Sequence, residues 1–339
     1  MLRHLTLYRS PSPGLTATGL PGVNIGRRMG VAHAKPRERV SELALAAAAP
    51  SHVPASPKPS WARGTCPTLR IGVLVEDRYL AHAEPAGAMA ALRAAGHDVE
   101  LVVADRHVAA LGAPVGVDAL LARGRRAAFV SLLRAAEAGG VPVVNSATAI
   151  SAVANKAGMG AALAAAGIPT PCTWVGPVEA LNWRPDLSFP LVLKPVYGDN
   201  AHGLVVVRSR AELAAVSWPE PVALAQAFHR GDGVDFKLYV AGERVWAVRR
   251  PSPVHADGTY RTVETAGESL PVTPALAEFA RRCGQVFGLR LYGVDCVDTE
   301  CGPLVIEVND YPTYRGAPGA SEAIADVVTR LACSRVGAS

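Results

Sequence analysis

From Leu69 onward, apolar and polar positions fall into short periodic runs, and the period changes from one run to the next. LRIGVLVED, residues 69–77, is a continuous apolar run closed by acids, the pattern of a buried strand. PAGAMAALRAAGHDVELVVAD then gives a helical segment, a stop at Gly96 and a second strand. GVDALLARGRRAAFVSLLRAAEAGGVPVVNSA repeats the unit, with a strand over residues 118–122, a helix, and a strand over residues 142–144. Strand and helix in alternation predict a small parallel βαβ domain over 69–150, with ligands at the carboxyl ends of its strands. Glu76, Asp77 and Arg78 follow one such strand, and Arg123, Arg125 and Arg126 follow another. An Ala-rich helical segment opens at Lys156 and stops at Gly167, with Pro169 and Pro171 beyond.

The second half of the chain reads as paired strands. Leu191 to Leu193 is an apolar strand ending in Lys194, followed by a loop from Gly198 to Gly203 and another strand over residues 204–207. No helix follows and no GK[ST] is present, so this is a phosphate-covering flap rather than a P-loop. Residues 236–240 and 244–250 flank a short turn at Ala241-Gly242-Glu243. A tight register puts Asp235, Lys237 and Tyr239 on the face that also carries Arg244, Trp246 and Arg250, so Lys237 and Arg250 project together. In LYGVDCVDTECGPLVIEVNDYPTYR, residues 291–315, alternation sends Glu307 and Asn309 to one side and Leu304, Ile306 and Val308 to the core. Folding around Thr299-Glu300-Cys301-Gly302 brings Asp295 opposite Glu307. Two facing carboxylates repel unless a cation lies between them, and an all-oxygen set suits Mg²⁺ or Mn²⁺ and not zinc.

Composition narrows the class. The 339 residues are half hydrophobic, enough for two or three compact units. No apolar run reaches the roughly 18 residues of a membrane span. The six cysteines show no CxxC pairs and read as reduced cytosolic thiols. Of the nine histidines, His202 in the flap and His229 lie near the expected site, as hydrogen-bonding neighbours rather than general bases. The net charge of +5 is unevenly spread: residues 1–70 hold ten Lys/Arg and two acids, leaving the rest slightly acidic. Residues 1–68, with nine of the 27 prolines and little apolar periodicity, are expected to be a disordered arm. That arm also resembles a transit peptide, or an extension upstream of a start at Met29. It lacks the dense basic runs of a nucleic-acid arm.

The order of AISAVANK, PLVLKPVYGDNAHG, ALAQAF, DFKLYVAGERVWAVRR and GVDCVDTECGPLVIEVNDYP resembles the ATP-grasp superfamily, and within it the RimK-like amino-acid ligases, from about Leu69 to Leu331. The resemblance implies an α/β (α+β) ATP-grasp fold. A Rossmann-like βαβ domain over 69–150 would precede an ATP-grasp domain over 151–335, split at 228/229 into a nucleotide-side and a metal-binding subdomain. It implies that Lys156 and Lys194 hold ATP, under a flap carrying Gly198, His202 and Gly203. Residues 224–228, with Gln226 and Phe228, would be the adenine hinge. Asp295, Glu307 and Asn309 would bind Mg²⁺ (or Mn²⁺), and Arg250, with Lys237 beside it, would stabilise the transferring phosphoryl group. The chain departs from the family at Gln226-Ala227, where Gln-Glu is usual, so Asp235 or Asp232 would take the ribose contact. Beyond the metal residues, Tyr314 and Arg315 would meet the substrate, joined by Arg123.

The implied activity is a cytoplasmic, ATP- and Mg²⁺-dependent carboxylate–amine ligase, forming an amide or peptide bond through an acylphosphate. Its partners would be small-molecule carboxylate and amine substrates, amino acids among them, with no nucleic acid and no membrane; a homodimer is compatible. FKLYVAGE and NDYPTYRGAPG also look like the inositol-polyphosphate kinases of the same superfamily. A third reading is a regulatory nucleotide-binding module without catalysis.

Overall fold

A computed structural model describes residues 67–113, 115–198, 203–229, 233–252, 267–299 and 302–336. The arm expected over 1–68 lies almost wholly outside the described residues, and so do His202, Asp232 and the turn at 300–301.

Strands β1 (Arg70–Val75), β2 (Asp98–Val103), β3 (Ala119–Arg123) and β4 (Val143–Val144) form a parallel sheet in the order β2-β1-β3-β4. Helices α1 (Ala83–Ala94) and α2 (Ala127–Ala138) make the crossovers. β3 is buried along its length and β1 beyond its first residue, as expected of central parallel strands covered on both faces.

Two short helices follow, α3 (Ala147–Ala154) and α4 (Lys156–Ala165). Each begins at a polar cap: Ser146 accepts from the Ala149 amide, and Asn155 from the Gly158 amide at 2.9 Å. The Asn155 cap fixes Lys156 at the first helical position.

The nucleotide-side sheet is antiparallel. β5 (Thr173–Gly176), β6 (Leu191–Lys194), β7 (Val205–Val207) and β8 (Ala223–Ala227) run in the order β5-β8-β6-β7. With α5 (Val178–Asn182) and α6 (Arg210–Ala215) they enclose a core of their own, built on Leu181, Leu191, Leu193 and Leu213.

The last sheet, ordered β11-β10-β9-β12-β13, comprises β9 (Val234–Ala241), β10 (Arg244–Pro251), β11 (Glu268–Leu270), β12 (Leu291–Thr299) and β13 (Gly302–Asp310). On one face, Leu238, Val294 and Val308 pack against α4 and α7 (Pro274–Gln285) through Leu163, Leu276 and Ala280. The other face carries the polar groups of the site. The C-terminal helix α8 (Ala320–Val336) folds back onto the first sheet, with Ile324 and Val328 in one core with Ile71, Val73, Leu92 and Leu121. Asn145 joins the same two regions: buried, it accepts from the Arg290 and Leu291 amides and donates to the Leu291 carbonyl.

Two expectations are corrected. The alternation expected over 304–309 is interrupted by a bulge: the register shifts after Asp295, so Cys296 pairs with Val305 and Ile306 has no partner across the ladder. Val305 and Val308 therefore enter the core, while Ile306 turns toward the cleft. The expectation of six reduced thiols holds for Cys172, Cys283 and Cys296, but Cys333 is disulfide-bonded. Linear spacing carries no record of which distant cysteines the fold brings together. Among the described residues, no helix is long and apolar enough to cross a membrane.

Candidate active site

The register of three strands assembles the charged cluster. Asp295 lies directly across from Glu307 on β13 and from Lys237 on β9, and Gly293 lies across from Asn309. Residues directly opposite on neighbouring strands share a face, so Asp295, Glu307, Asn309 and Lys237 all point to the cleft. Lys237 also shares its face with Arg250, through the pairing of Val248 with Lys237 and of Arg250 with Asp235. Gly293 leaves this face open. A Cβ there would lie 3.1 Å from Pro312 and 3.5 Å from the end of the Lys237 side chain.

Each carboxylate is matched by a lysine. Lys156 Nζ lies 2.6 Å from Glu307 Oε1, and Lys237 Nζ lies 2.9 Å from Asp295 Oδ1. Asn309 Nδ2 donates to Asp295 Oδ2 at 2.8 Å, and the Arg250 guanidinium lies 3.9 Å from Asp295. Among the described residues no three His, Cys, Asp or Glu side chains gather as a metal cluster. The donor set is two carboxylates and one amide, all oxygen, with positive charge supplied by the Lys156 and Lys237 ammonium groups. Such an oxygen set is chemically compatible with a hard divalent cation.

Beside the cluster is a cavity of about 150 Å³, lined by Val192, Lys194, Gln226, Phe228, Asp235 and Ile306 among others. Its walls are the ends of β6, β8 and β9 and the bulge of β13. Burial lowers the Lys194 ammonium to about 8, with Glu307 opposing that shift. Burial likewise pushes the Asp235 carboxyl up to about 6, opposed by its hydrogen bond with Ser252. His229 also lines the cavity, and burial lowers its pKa. Gln226 Nε2 donates to Thr173 Oγ1 at 3.3 Å, which fixes its amide against the neighbouring strand.

Lys156, Lys194, Lys237, Arg250, Asp295, Glu307 and Asn309 are thus brought together, with Gln226, Phe228 and Asp235 in the adjoining cavity. Gly203 is held at φ 74°, in the left-handed region, at the edge of the flap segment outside the described residues.

The residues expected to meet the substrate lie elsewhere. Tyr314 and Arg315 line a second cavity, of about 580 Å³, with His82, Glu84 and Glu322. The Tyr314 hydroxyl is spent on the Val240 carbonyl at 2.7 Å, so its ring and not its hydroxyl faces that space. Arg123 is buried and does not line the wall; its guanidinium stacks 3.9 Å from the Tyr79 ring centroid and 5.2 Å from that of Tyr311. Glu76 is consumed internally, accepting from the Arg125 and Arg126 amides and from Arg78 Nε. His82 and Glu84 were not legible in sequence: an acid in a helix's first turn is ordinary, and no periodicity marks them.

Comparison with known proteins agrees with the geometry. A model of the RimK-like ATP-grasp domain matches residues 153–326. A probable alpha-L-glutamate ligase of Photobacterium profundum is 30% identical over 225 residues, covering 61% of this chain and 73% of that one. Probable alpha-L-glutamate ligase 1 of Shewanella amazonensis is 28% identical, covering 56% of this chain and 66% of its own. The chain therefore spans about two-thirds of the length of such curated relatives. Among solved structures, a RimK domain ATP-grasp protein of Sphaerobacter thermophilus has TM-score 0.61 and 26% identity, covering 78% of this chain and 99% of that one. The ATP-grasp ligase PsnB with a minimal precursor has TM-score 0.60 at 21% identity, covering 78% of this chain and 100% of that one, a likeness of fold.

Proposed function

Because this chain belongs to the RimK-like ATP-grasp family, we propose that it is an ATP- and Mg²⁺-dependent carboxylate–amine ligase, joining amino-acid-type substrates through an acylphosphate. The observation that carries the reading is the register that puts Asp295, Glu307, Asn309 and Lys237 on one face, with Lys156 reaching Glu307.

In this reading the adenine enters the cavity beside Gln226, Phe228 and Ile306, and Asp235 stands in for the family's usual ribose contact. Lys194, in the cavity wall, and Lys156, at the head of α4, meet the phosphates. A divalent cation would be held by Asp295, Glu307 and Asn309 and would neutralise phosphate charge. As phosphate oxygens arrive, Lys156 and Lys237 exchange carboxylate partners for phosphoryl oxygens. Arg250 and Lys237 then face the transferring group. Phosphoryl transfer is mostly positioning and charge stabilisation, which is what such a clamp supplies. The substrate carboxylate attacks the γ-phosphorus and ADP leaves. An amine next attacks the acyl carbon, losing a proton and expelling inorganic phosphate. The division into a substrate-binding domain over 69–150 and an ATP-grasp domain over 151–335 belongs to the same proposal.

The test is to measure ADP and phosphate release with ATP, Mg²⁺, a carboxylate and an amine. Phosphate release is expected to need both components, and hydroxylamine to trap the acylphosphate as a hydroxamate. A stable phosphorylated polyol formed without an amine, and with no hydroxamate, would instead make the protein a kinase.

A further inference from the structure

The turn after β3 grips the end of β13. Glu76, just after β1 and buried, accepts from the Arg125 and Arg126 amides at 2.7 and 2.6 Å. Gly124 has no room for a side chain, since a Cβ there would lie 2.7 Å from Glu76 and 2.6 Å from Phe129. The backbone that carries Arg123 and Arg125 is therefore held against the first sheet.

Both side chains reach the two residues that follow Asn309. Arg125 Nη2 stands 2.8 Å from Oδ1 of Asp310, which is 1% exposed. The Arg123 guanidinium, stacked on Tyr79, lies 5.2 Å from the ring centroid of Tyr311. Asp310 pairs with Tyr292 in the last rung of the β12–β13 ladder, one rung beyond the pair of Asn309 and Gly293. Tyr311 then leaves the strand at φ 40°, in the left-handed region that residues other than glycine rarely occupy. Strain of that kind persists only where the surroundings impose it. A buried carboxylate likewise needs a matched charge beside it. Asn309 shares its backbone with both gripped residues, and its side chain donates to Asp295 Oδ2 at 2.8 Å in the charged cluster. Freeing Asp310 loosens the rung beside Asn309, and a displacement of ~1 Å is enough to spoil a reacting geometry.

We infer that Arg125 is a positioning residue: through Asp310 it sets the end of β13, and with it the aim of Asn309 into the cluster, while Arg123 steadies Tyr311 one residue further on. The arginines after β3 thus act on the reacting centre through the strand that carries it, and not by touching a substrate. This rests on the reading of Asp295, Glu307 and Asn309 as cation ligands proposed above, and metal binding tests it without turnover.

The experiment is a Mn²⁺ titration of the full chain loaded with a non-hydrolysable ATP analogue, followed by electron paramagnetic resonance. Arg125→Met and Asp310→Asn should each weaken Mn²⁺ about tenfold, the scale expected when the group behind a metal ligand is lost. Arg125→Lys keeps the charge and should recover most of that affinity. The double variant should be no weaker than either single one, because partners in one contact are not additive. Leu120→Ala, in a core at the other end of β3, should lower the melting temperature and leave Mn²⁺ affinity unchanged. The inference is overturned if folded Arg125→Met or Asp310→Asn binds Mn²⁺ like the parent, if the double variant shows the sum of the two losses, or if Leu120→Ala loses as much affinity. Should Arg125→Met fail to fold, Asp310→Asn, of the same size and shape, decides on the same readout. A parent chain that binds no Mn²⁺ overturns the metal assignment and this inference with it, whereas parental binding that survives in the variants sinks the inference alone.

Discussion

Lys237 Nζ and Asp295 Oδ1 stand 2.9 Å apart on directly paired residues of β9 and β12. A lysine across from an acid is ordinary in a sheet. Here the same acid also faces Glu307, so the lysine relieves a repulsion that a metal would otherwise relieve. In the function proposed above, Lys237 is the group that would pass from Asp295 to a phosphate oxygen.

Asp295→Ala and Glu307→Ala should each lower ADP production by about 100-fold or more. Both side chains face the cleft and are about a quarter exposed, at 24% and 23%, so circular dichroism should still report the parental fold. Undiminished ADP production by either folded variant would remove these residues from the site.

Replacing Ile306 with tryptophan should fill the cavity of about 150 Å³ that the bulge opens. Affinity for a non-hydrolysable ATP analogue should fall at least tenfold, about 1.4 kcal/mol, with little change in the urea midpoint, because Ile306 lies outside the packed face. Unchanged affinity would mean that adenine binds elsewhere.

Asn145→Leu should destabilise the protein by about 2–4 kcal/mol, read from urea unfolding. It removes one donor and one acceptor that satisfy two amides and a carbonyl at the start of β12. Asn145→Asp keeps the acceptor and should lose less. Equal stability of all three proteins would show that the clamp contributes nothing.

His97 gives a pH signature of stability. Burial lowers its pKa from the ordinary 6.5, and its Nε2 lies 3.1 Å from Thr329 Oγ1 on α8. With the folded pKa depressed, the unfolded chain binds more protons just below 6.5. The contribution is therefore complete above that pH and is lost as pH falls through the folded value. His97→Gln should flatten this dependence relative to the parent in thermal melts from pH 7.5 to 5. Parallel pH curves for the two proteins would rule it out.

The sequence by itself determined three hairpins, over 191–207, 236–250 and 291–310, the parallel βαβ opening and the facing of Asp295 and Glu307, because side-chain alternation and short turns are local rules that a linear chain obeys; the pairing of β8 with β5 and β6 and of β9 with β12 came only from the fold. Lys237 and Arg250 were legible for the same reason: one hairpin register places both. Only tertiary structure decided that Ile306 turns to the cleft, since a bulge costs one residue of register and leaves no mark in composition. It alone brought α8 into the first sheet's core and set Asn145 against the start of β12, 146 residues away. It alone also opened the cavity of about 580 Å³ that His82 and Glu84 line with the start of α8. An unfilled space between distant segments is a property of packing that local sequence rules do not encode.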